Sequence, residues 1–314
     1  MKVLKYLLFI LLLISIALNV WLLYELKIAQ KTILEAEAES FRFVRPLKHP
    51  LIDSNIQTKK NILHFNNLDE KLNEEIAKFT SDSSNVGVFV QDLNTGAWLG
   101  LNEREFFYPA SLLKIPIAMA ILKKVDRGEI KLTEKVETRF EDLDDDSGIL
   151  YKKGIGYKLS ILDALKIMIL NSDNTAKNIL KRQLLDEELN SVFAHVGISN
   201  PYLSETEDSI SPRGYSRIFK SLYFSTYLTP ELSELLLDIA SDTQVENLIS
   251  AGVPPEIQVS HKFGATPNEI ADCGIVYVTG DDYLLCIIVK DVESKDAIKL
   301  VGNLSKIIYK FVSL

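Results

Sequence analysis

Two hydrophobic periods alternate along the chain and divide it into elements. Leu68, Leu72, Ile76 and Phe79 return every three or four positions, which predicts a helix from Leu68 to Thr80. Val86-Gly87-Val88-Phe89-Val90 is rich in β-formers. The polar cluster Asp92-Leu93-Asn94-Thr95-Gly96 supplies a turn, and Ala97 to Leu101 resumes as a second strand, so a hairpin is expected. From about 112 to 250 the helical spacing prevails almost throughout. There Ser160 and Asp163 form a capping-box pattern ahead of Leu162, Leu165, Met168 and Ile169, and further helices are expected over 174–184, 186–195, 212–225 and 229–241. Strand character returns at Ile257–Phe263, Gly274–Val278 and Tyr283–Val289, the last two joined through Gly280-Asp281-Asp282. The closing segment places Ala297, Leu300, Val301, Leu304, Ile308 and Phe311 on one helical face, suited to covering a sheet.

This order predicts an α+β fold. One antiparallel sheet is built from both ends of the chain and flanked by the terminal helices, and an all-α lobe stands beside it with a cleft between them. The α/β lobe is expected over 67–110 and 251–314, the helical lobe over 111–250, and together they form one catalytic domain, 67–314. Ahead of it, Tyr6 to Tyr24 is apolar but for Ser15 and Asn19, close to the ~20 residues needed to cross a bilayer core. Residues 1–25 are therefore expected to be a transmembrane anchor and 26–66 a juxtamembrane stalk and linker. Lys2 and Lys5 precede the apolar run, while Glu25, Glu35, Glu37 and Glu39 come after it, which orients the domain to the extracytoplasmic side. A cleaved signal peptide is the rival reading, but the small-residue pattern Ala36-Glu37-Ala38 lies well past the apolar run.

Composition narrows the chemistry. A net charge of −8 over 314 residues, without a basic stripe, argues against nucleic acid as a partner. The histidines His49, His64, His195 and His261 show no ligand spacing, so no metal or other cofactor is expected. The acidic run Glu141 to Asp146 lacks the spacing of a Ca²⁺ loop and reads as a solvated loop. Cys273 and Cys286 fall in paired strands. A hairpin register centred on Gly280-Asp281 sets them diagonally, which favours two buried thiols over a bridge.

Three short segments carry candidate chemistry. In Tyr108-Pro109-Ala110-Ser111-Leu112-Leu113-Lys114, a helix start would put Ser111 and Lys114 one turn apart on one face. A serine hydroxyl needs a neighbouring base, and a desolvated lysine has its pKa lowered toward that task. Ser172-Asp173-Asn174 supplies a second hydroxyl for proton relay and a carboxamide for a substrate amide, though alone it would read as a helix cap. Lys262-Phe263-Gly264-Ala265-Thr266 offers a cation for a substrate carboxylate and a glycine that clears the strand edge. The backbone N–H groups of Ala265 and Ser111 would form an oxyanion hole.

Taken together and in this order, the three segments resemble the motif set of the class A β-lactamase and penicillin-binding protein family, from about Leu68 to the C-terminus. The resemblance implies a β-lactamase/transpeptidase-like fold and a β-lactam or peptidoglycan-peptide substrate. Ser111 would form the acyl-enzyme, Lys114 would act as base or proton carrier, and Ser172 as relay. Asn174 would bind the substrate side chain, and Lys262 with the Gly264-Ala265-Thr266 strand would receive the carboxylate. Two departures matter. The region Asn200–Pro212 is short and lacks the family spacing of a deacylating glutamate, leaving Glu205 and Glu207, with Asp208, as weak candidates. Phe263 stands where the family carries a hydroxyl, unless Thr266 or His261 substitutes. β-Lactam hydrolysis is the leading expectation. A D-alanyl-D-alanine peptidase with slow deacylation comes second, and a catalytically silent cell-wall-binding module is the alternative of another class.

Overall fold

The computed structural model describes residues 67–313 apart from 244 and 246. The expected anchor and stalk, with His49 and His64, lie outside the described residues. Among the described residues no helix is long and apolar enough to cross a membrane.

Eight helices and a five-stranded sheet make up the body of the described chain. Helix α1 (residues 67–76) leads into β1 (Val86–Asp92) and β2 (Trp98–Leu101). Next come α2 (Lys114–Asp126), β3 (Lys135–Glu137), β4 (Lys158–Ser160), α3 (Ile161–Leu170), α4 (Asn174–Lys181), α5 (Asp186–Val196), α6 (Pro212–Tyr223) and α7 (Pro230–Ser241). The chain then returns through β5 (Val259–Thr266), β6 (Glu269–Val276) and β7 (Tyr283–Lys290) and ends in α8 (Ser294–Val312). The sheet order is β2-β1-β7-β6-β5, antiparallel throughout, so strands from both ends of the chain meet at the β1–β7 pair. This is the α+β arrangement expected from the order of elements. The expected all-helical middle needs one correction: β3 and β4 pair there as a separate two-stranded sheet, too short to show a period of two.

Strand β7 shows why the central sheet reads as a continuous apolar run. Leu284, Cys286 and Ile288 face the helical side, while Tyr283, Leu285, Ile287 and Val289 face the terminal helices. Each face is covered, so alternation between polar and apolar disappears. On the outer face Leu68, Leu72 and Ile76 of α1 and Ala297, Leu300, Val301, Leu304 and Ile308 of α8 complete one core. On the inner face α2 is buried from Lys114 to Leu122 and joins the sheet to the helical block. The Ser160–Asp163 capping box forms as its pattern predicts: Ser160 Oγ accepts from Asp163 N at 3.0 Å, and Ser160 N donates back to the Asp163 carboxylate at 3.3 Å.

The cysteines depart from expectation. The β6–β7 ladder pairs Val276 with Tyr283 and Cys273 directly with Cys286, so the two residues stand opposite rather than diagonal. They form a disulfide with a Cα–Cα distance of 3.9 Å. The turn spans Tyr277 to Asp282, its centre one residue before Gly280-Asp281, which shifts the strand pairing by two residues and brings the sulfurs together. The bridge should contribute about 3 kcal/mol by restricting the unfolded chain. Alkylation of the unfolded, unreduced protein should therefore add no adduct, and reduction should expose two thiols. The Cys273→Ala/Cys286→Ala variant should lose about that stability in urea unfolding.

Candidate active site

The nucleophile candidate sits where a strained turn feeds a buried helix. Ala110 has φ 44°, in the left-handed region that residues with a Cβ rarely adopt, and it opens a short 3-10 turn through Leu113 that runs into α2. Pro116 lies in the first turn of α2, where no helical N–H is lost. The hydroxyl of the buried Tyr215 on α6 donates to Leu112 O at 2.6 Å and holds the turn from behind. Gly264 holds it from the side: a Cβ there would lie 3.0 Å from Ala110 Cβ and 3.2 Å from Ser111 N. Its expected role was to clear the strand edge for an approaching substrate. Instead the nucleophile turn itself occupies the space, since β5 packs directly against it.

Lys114 is buried, and its Nζ gathers the first two motifs. It donates to Ser111 Oγ at 2.7 Å, to Ser172 O at 2.7 Å and to Asn174 Oδ1 at 2.9 Å, with Ser172 Oγ at 3.2 Å. Burial, reinforced by the nearby Lys177 ammonium, lowers the Lys114 pKa to about 7, against the opposing pull of Asp173 and Asp144. An amine with that pKa is half deprotonated at neutral pH and can take a proton from the hydroxyl it touches.

Ser172 has φ 54° and is the second strained residue at the site. The residue after it explains how that backbone is held. Asp173 caps α4 through Ala176 N at 2.8 Å and also accepts from Ile149 N and Leu150 N, each at 2.8 Å. Gly148 leaves room for this carboxylate, since a Cβ there would fall on it. Asn174 is oriented at both ends, with Oδ1 toward Lys114 and Nδ2 donating to Asp144 Oδ1 at 3.1 Å, and each atom keeps further bonding capacity. The acidic run is therefore only in part a solvated loop: Glu141, Asp145 and Asp146 are exposed, while the others are engaged. Asp142 is buried against Arg182 at 2.9 Å, Asp144 orients Asn174, and Asp146 lines the cleft.

The cleft has a volume of about 470 Å³ and is lined by Ser111, Lys114, Ser172 and Asn174 together with Phe263, Ala265 and Thr266. The structure thus gathers residues from all three motifs. Lys262 lies behind the lining. It is buried, its Nζ is 4.1 Å from the centre of the Phe263 ring, and it has no hydrogen-bond partner among the described residues. Burial, then the Lys114 charge, lowers its pKa to about 7. His261 is buried away from the cleft lining, where it bridges Asp272 (2.7 Å) and Ser250 (3.1 Å), so it cannot stand in for the hydroxyl absent at Phe263. Thr266 does reach the cleft. Glu205 and Glu207 are exposed outside it, and Asp208 is engaged with Lys290.

Several residues at the site carry no local motif. Tyr108, Ser147, Lys177 and Tyr202 also line the cleft. The Glu269 carboxyl lies buried beneath the nucleophile segment, with Oε2 3.4 Å from Tyr108 N, and burial raises its pKa to about 7. Ser147 and Lys177 had readable neighbours, the acidic run and the Ser172-Asp173-Asn174 segment. Glu269 gave no signal, because only the β5–β6 pairing brings it under Tyr108.

A serine following the strained Ala110, a desolvated lysine in contact with it, and a second serine and an oriented carboxamide on the facing lobe define a serine hydrolase. The chain belongs to the Beta-lactamase enzyme family, whose sequence profile matches residues 67–312. It is similar to Beta-lactamase 3 of Bacillus cereus, 24% identical over 248 residues covering 73% of this chain and 77% of that protein. A β-lactamase of Bacillus subtilis (strain 168) is 26% identical over 230 residues, covering 68% of this chain and 73% of the relative. Among solved structures, PBP-A is 27% identical with a TM-score of 0.69, covering 78% of this chain and 95% of that one.

This geometry has two measurable consequences. Gly264→Val should press β5 away from Ser111 and slow acylation at least tenfold, a larger effect than its loss of stability, as measured by adduct formation beside thermal unfolding. Lys114 and Lys262 have folded pKa values below the unfolded 10.5. The unfolded chain therefore binds more protons between about pH 7 and 10.5, and stability should rise with pH across that window. Urea unfolding from pH 7 to 9 should show this rise, and Lys114→Met should flatten it.

Proposed function

We propose that the chain is a penicillin-recognising serine hydrolase that forms an acyl-enzyme at Ser111. The observation that carries this reading is the Lys114 Nζ–Ser111 Oγ contact of 2.7 Å, made by a lysine with a pKa of about 7. Neutral Lys114 takes the Ser111 proton as Oγ attacks the carbonyl carbon of a β-lactam or D-alanyl peptide. Ser172, 3.2 Å from the same amine, passes that proton to the departing nitrogen. Ala265 and Ser111 sit on the two segments that Gly264 holds together, which supports their N–H groups as receptors for the developing oxyanion. Asn174 receives the substrate side-chain amide. The buried, unpartnered Lys262 and the Thr266 hydroxyl attract the carboxylate. A PBP-A variant solved as an acyl-enzyme complex with penicillin G, 26% identical with a TM-score of 0.69, is consistent with this sequence of steps.

A second reading concerns the fate of the acyl-enzyme. The exposed positions of Glu205 and Glu207, outside the cleft, favour a slowly deacylating D,D-peptidase over rapid β-lactam turnover. The apolar run Tyr6–Tyr24 supports anchoring in the cell membrane with this domain on the extracytoplasmic side, where peptidoglycan peptides are met.

Incubation with benzylpenicillin, monitored by intact mass, tests the proposal. A single adduct should form, be absent in Ser111→Ala, and form 10²–10⁴-fold more slowly in Lys114→Met, roughly the usual range for loss of a general base. Its rate should climb with pH through about 7 as Lys114 loses its proton. A persistent adduct identifies the peptidase and steady drug consumption the β-lactamase. No adduct at all overturns the reading.

A further inference from the structure

The chain carries a net charge of −8, yet its cleft is surrounded by amines. Lys114 and Lys177 line it, Lys262 lies buried behind it, and Lys181 stacks on the ring of the cleft residue Tyr202 at 4.0 Å. Lys114 is committed to four oxygen atoms. Lys177 is different: among the described residues its ammonium makes no hydrogen bond or ion pair, although the residue is half-buried. It sits one helical turn beyond Asn174 on α4, on the same face, so its ammonium borders the space next to the Asn174 carboxamide.

Asp144 and Asp146 attract it from a distance, but among the described residues neither carboxylate is in contact with its ammonium. Asp144 accepts from Asn174 Nδ2 at 3.1 Å and from Asp146 N at 3.1 Å. Asp146 is exposed, and its carboxylate is open to solvent. The charge left partly desolvated and unpaired on this wall is the cation, and such a charge is costly until a counter-ion arrives.

We propose that Lys177 forms a carboxylate subsite on the helical wall of the cleft, selecting acyl donors whose side chain, next to the amide held by Asn174, bears an additional carboxylate. This rests on the acyl-enzyme reading and specifies its substrate class. The ligand is an N-acyl β-lactam or D-alanyl peptide with an acidic acyl branch. The ammonium donates to that carboxylate while Ser111 attacks the carbonyl, and no further bond is made or broken. Lys177 has a second consequence. Its charge contributes to the depressed pKa of Lys114. The other charged or titratable groups around it are Asp144 and Asp146 on the preceding loop, Lys181 on α4 and Tyr202 across the cleft.

The test compares benzylpenicillin with its α-carboxy derivative, which differ by one carboxylate on the acyl side chain, using the full-length protein. Acylation rates are read by intact mass at low and high salt. The preference for the α-carboxy compound should fall roughly tenfold in Lys177→Met, survive in Lys177→Arg, and weaken with salt. The acid limb of the Lys177→Met profile should move to higher pH, because one source of repulsion on Lys114 is gone. Lys299→Met, on α8, changes the net charge equally and should leave the preference intact. Adducts that form at a rate ratio indifferent to Lys177 would overturn this inference alone. No adduct with either penicillin would overturn the acyl-enzyme reading and this inference with it.

Discussion

A lysine ammonium removed from water is costly to bury, and the surroundings of Lys114 are arranged around that cost. Four oxygen atoms lie within 3.2 Å of its Nζ, drawn from the nucleophile turn and from the start of α4. None of the four is a carboxylate, so the amine is solvated without being held in its charged form. Asp173 and Asp144 stand further back and limit the drop in pKa without reversing it. An ion pair in direct contact would have kept the lysine protonated and useless as a base. The geometry therefore trades stability for reactivity at one atom.

The rest of the molecule keeps that atom in place. Two residues with a Cβ, Ala110 and Ser172, adopt left-handed backbone on either side of the cleft, and such strain persists only when the surroundings over-determine it. Tyr215 braces the first through Leu112, and Asp173 braces the second by bonding the N–H groups of Ile149, Leu150 and Ala176. Gly264 lets β5 lie against Ser111, and behind β5 the buried Cys273–Cys286 bridge joins the next two strands. Acylation machinery is thus held rigidly from both lobes. The loop glutamates Glu205 and Glu207 are exposed and lie outside the cleft.

The individual elements differed in how far their sequence exposed them. Helices α8 and α1 announced themselves because each buries a single face, which produces a 3.6-residue period. The capping box at Ser160 and Asp163 was readable because cap chemistry is local. Strands β5 and β6 began and ended elsewhere than their composition indicated, since Thr266, Glu269 and Asp272 belong to the ladder despite weak β-propensity. The disulfide was misjudged because the turn centre lies one residue earlier than expected, as the turn between β6 and β7 offers no residue pair that forces its centre. Tyr202 and Glu269 reached the site unannounced, each carried there by a neighbour in space.

What the sequence by itself determined was most of the order of helices and strands, the spacing that sets Ser111 one turn from Lys114, and the chemical types of the two candidate serines and the carboxamide. These are local properties, written in periodicity and short-range geometry. Tertiary structure alone decided that Lys114 would be dehydrated and lie within reach of Ser172 and Asn174, some sixty positions away. It also decided that Lys262 would be hidden behind the cleft, that Lys177 would face into it, and that the two cysteines would meet. Desolvation and long-range approach depend on which surfaces pack together, and no single segment of the chain contains that information.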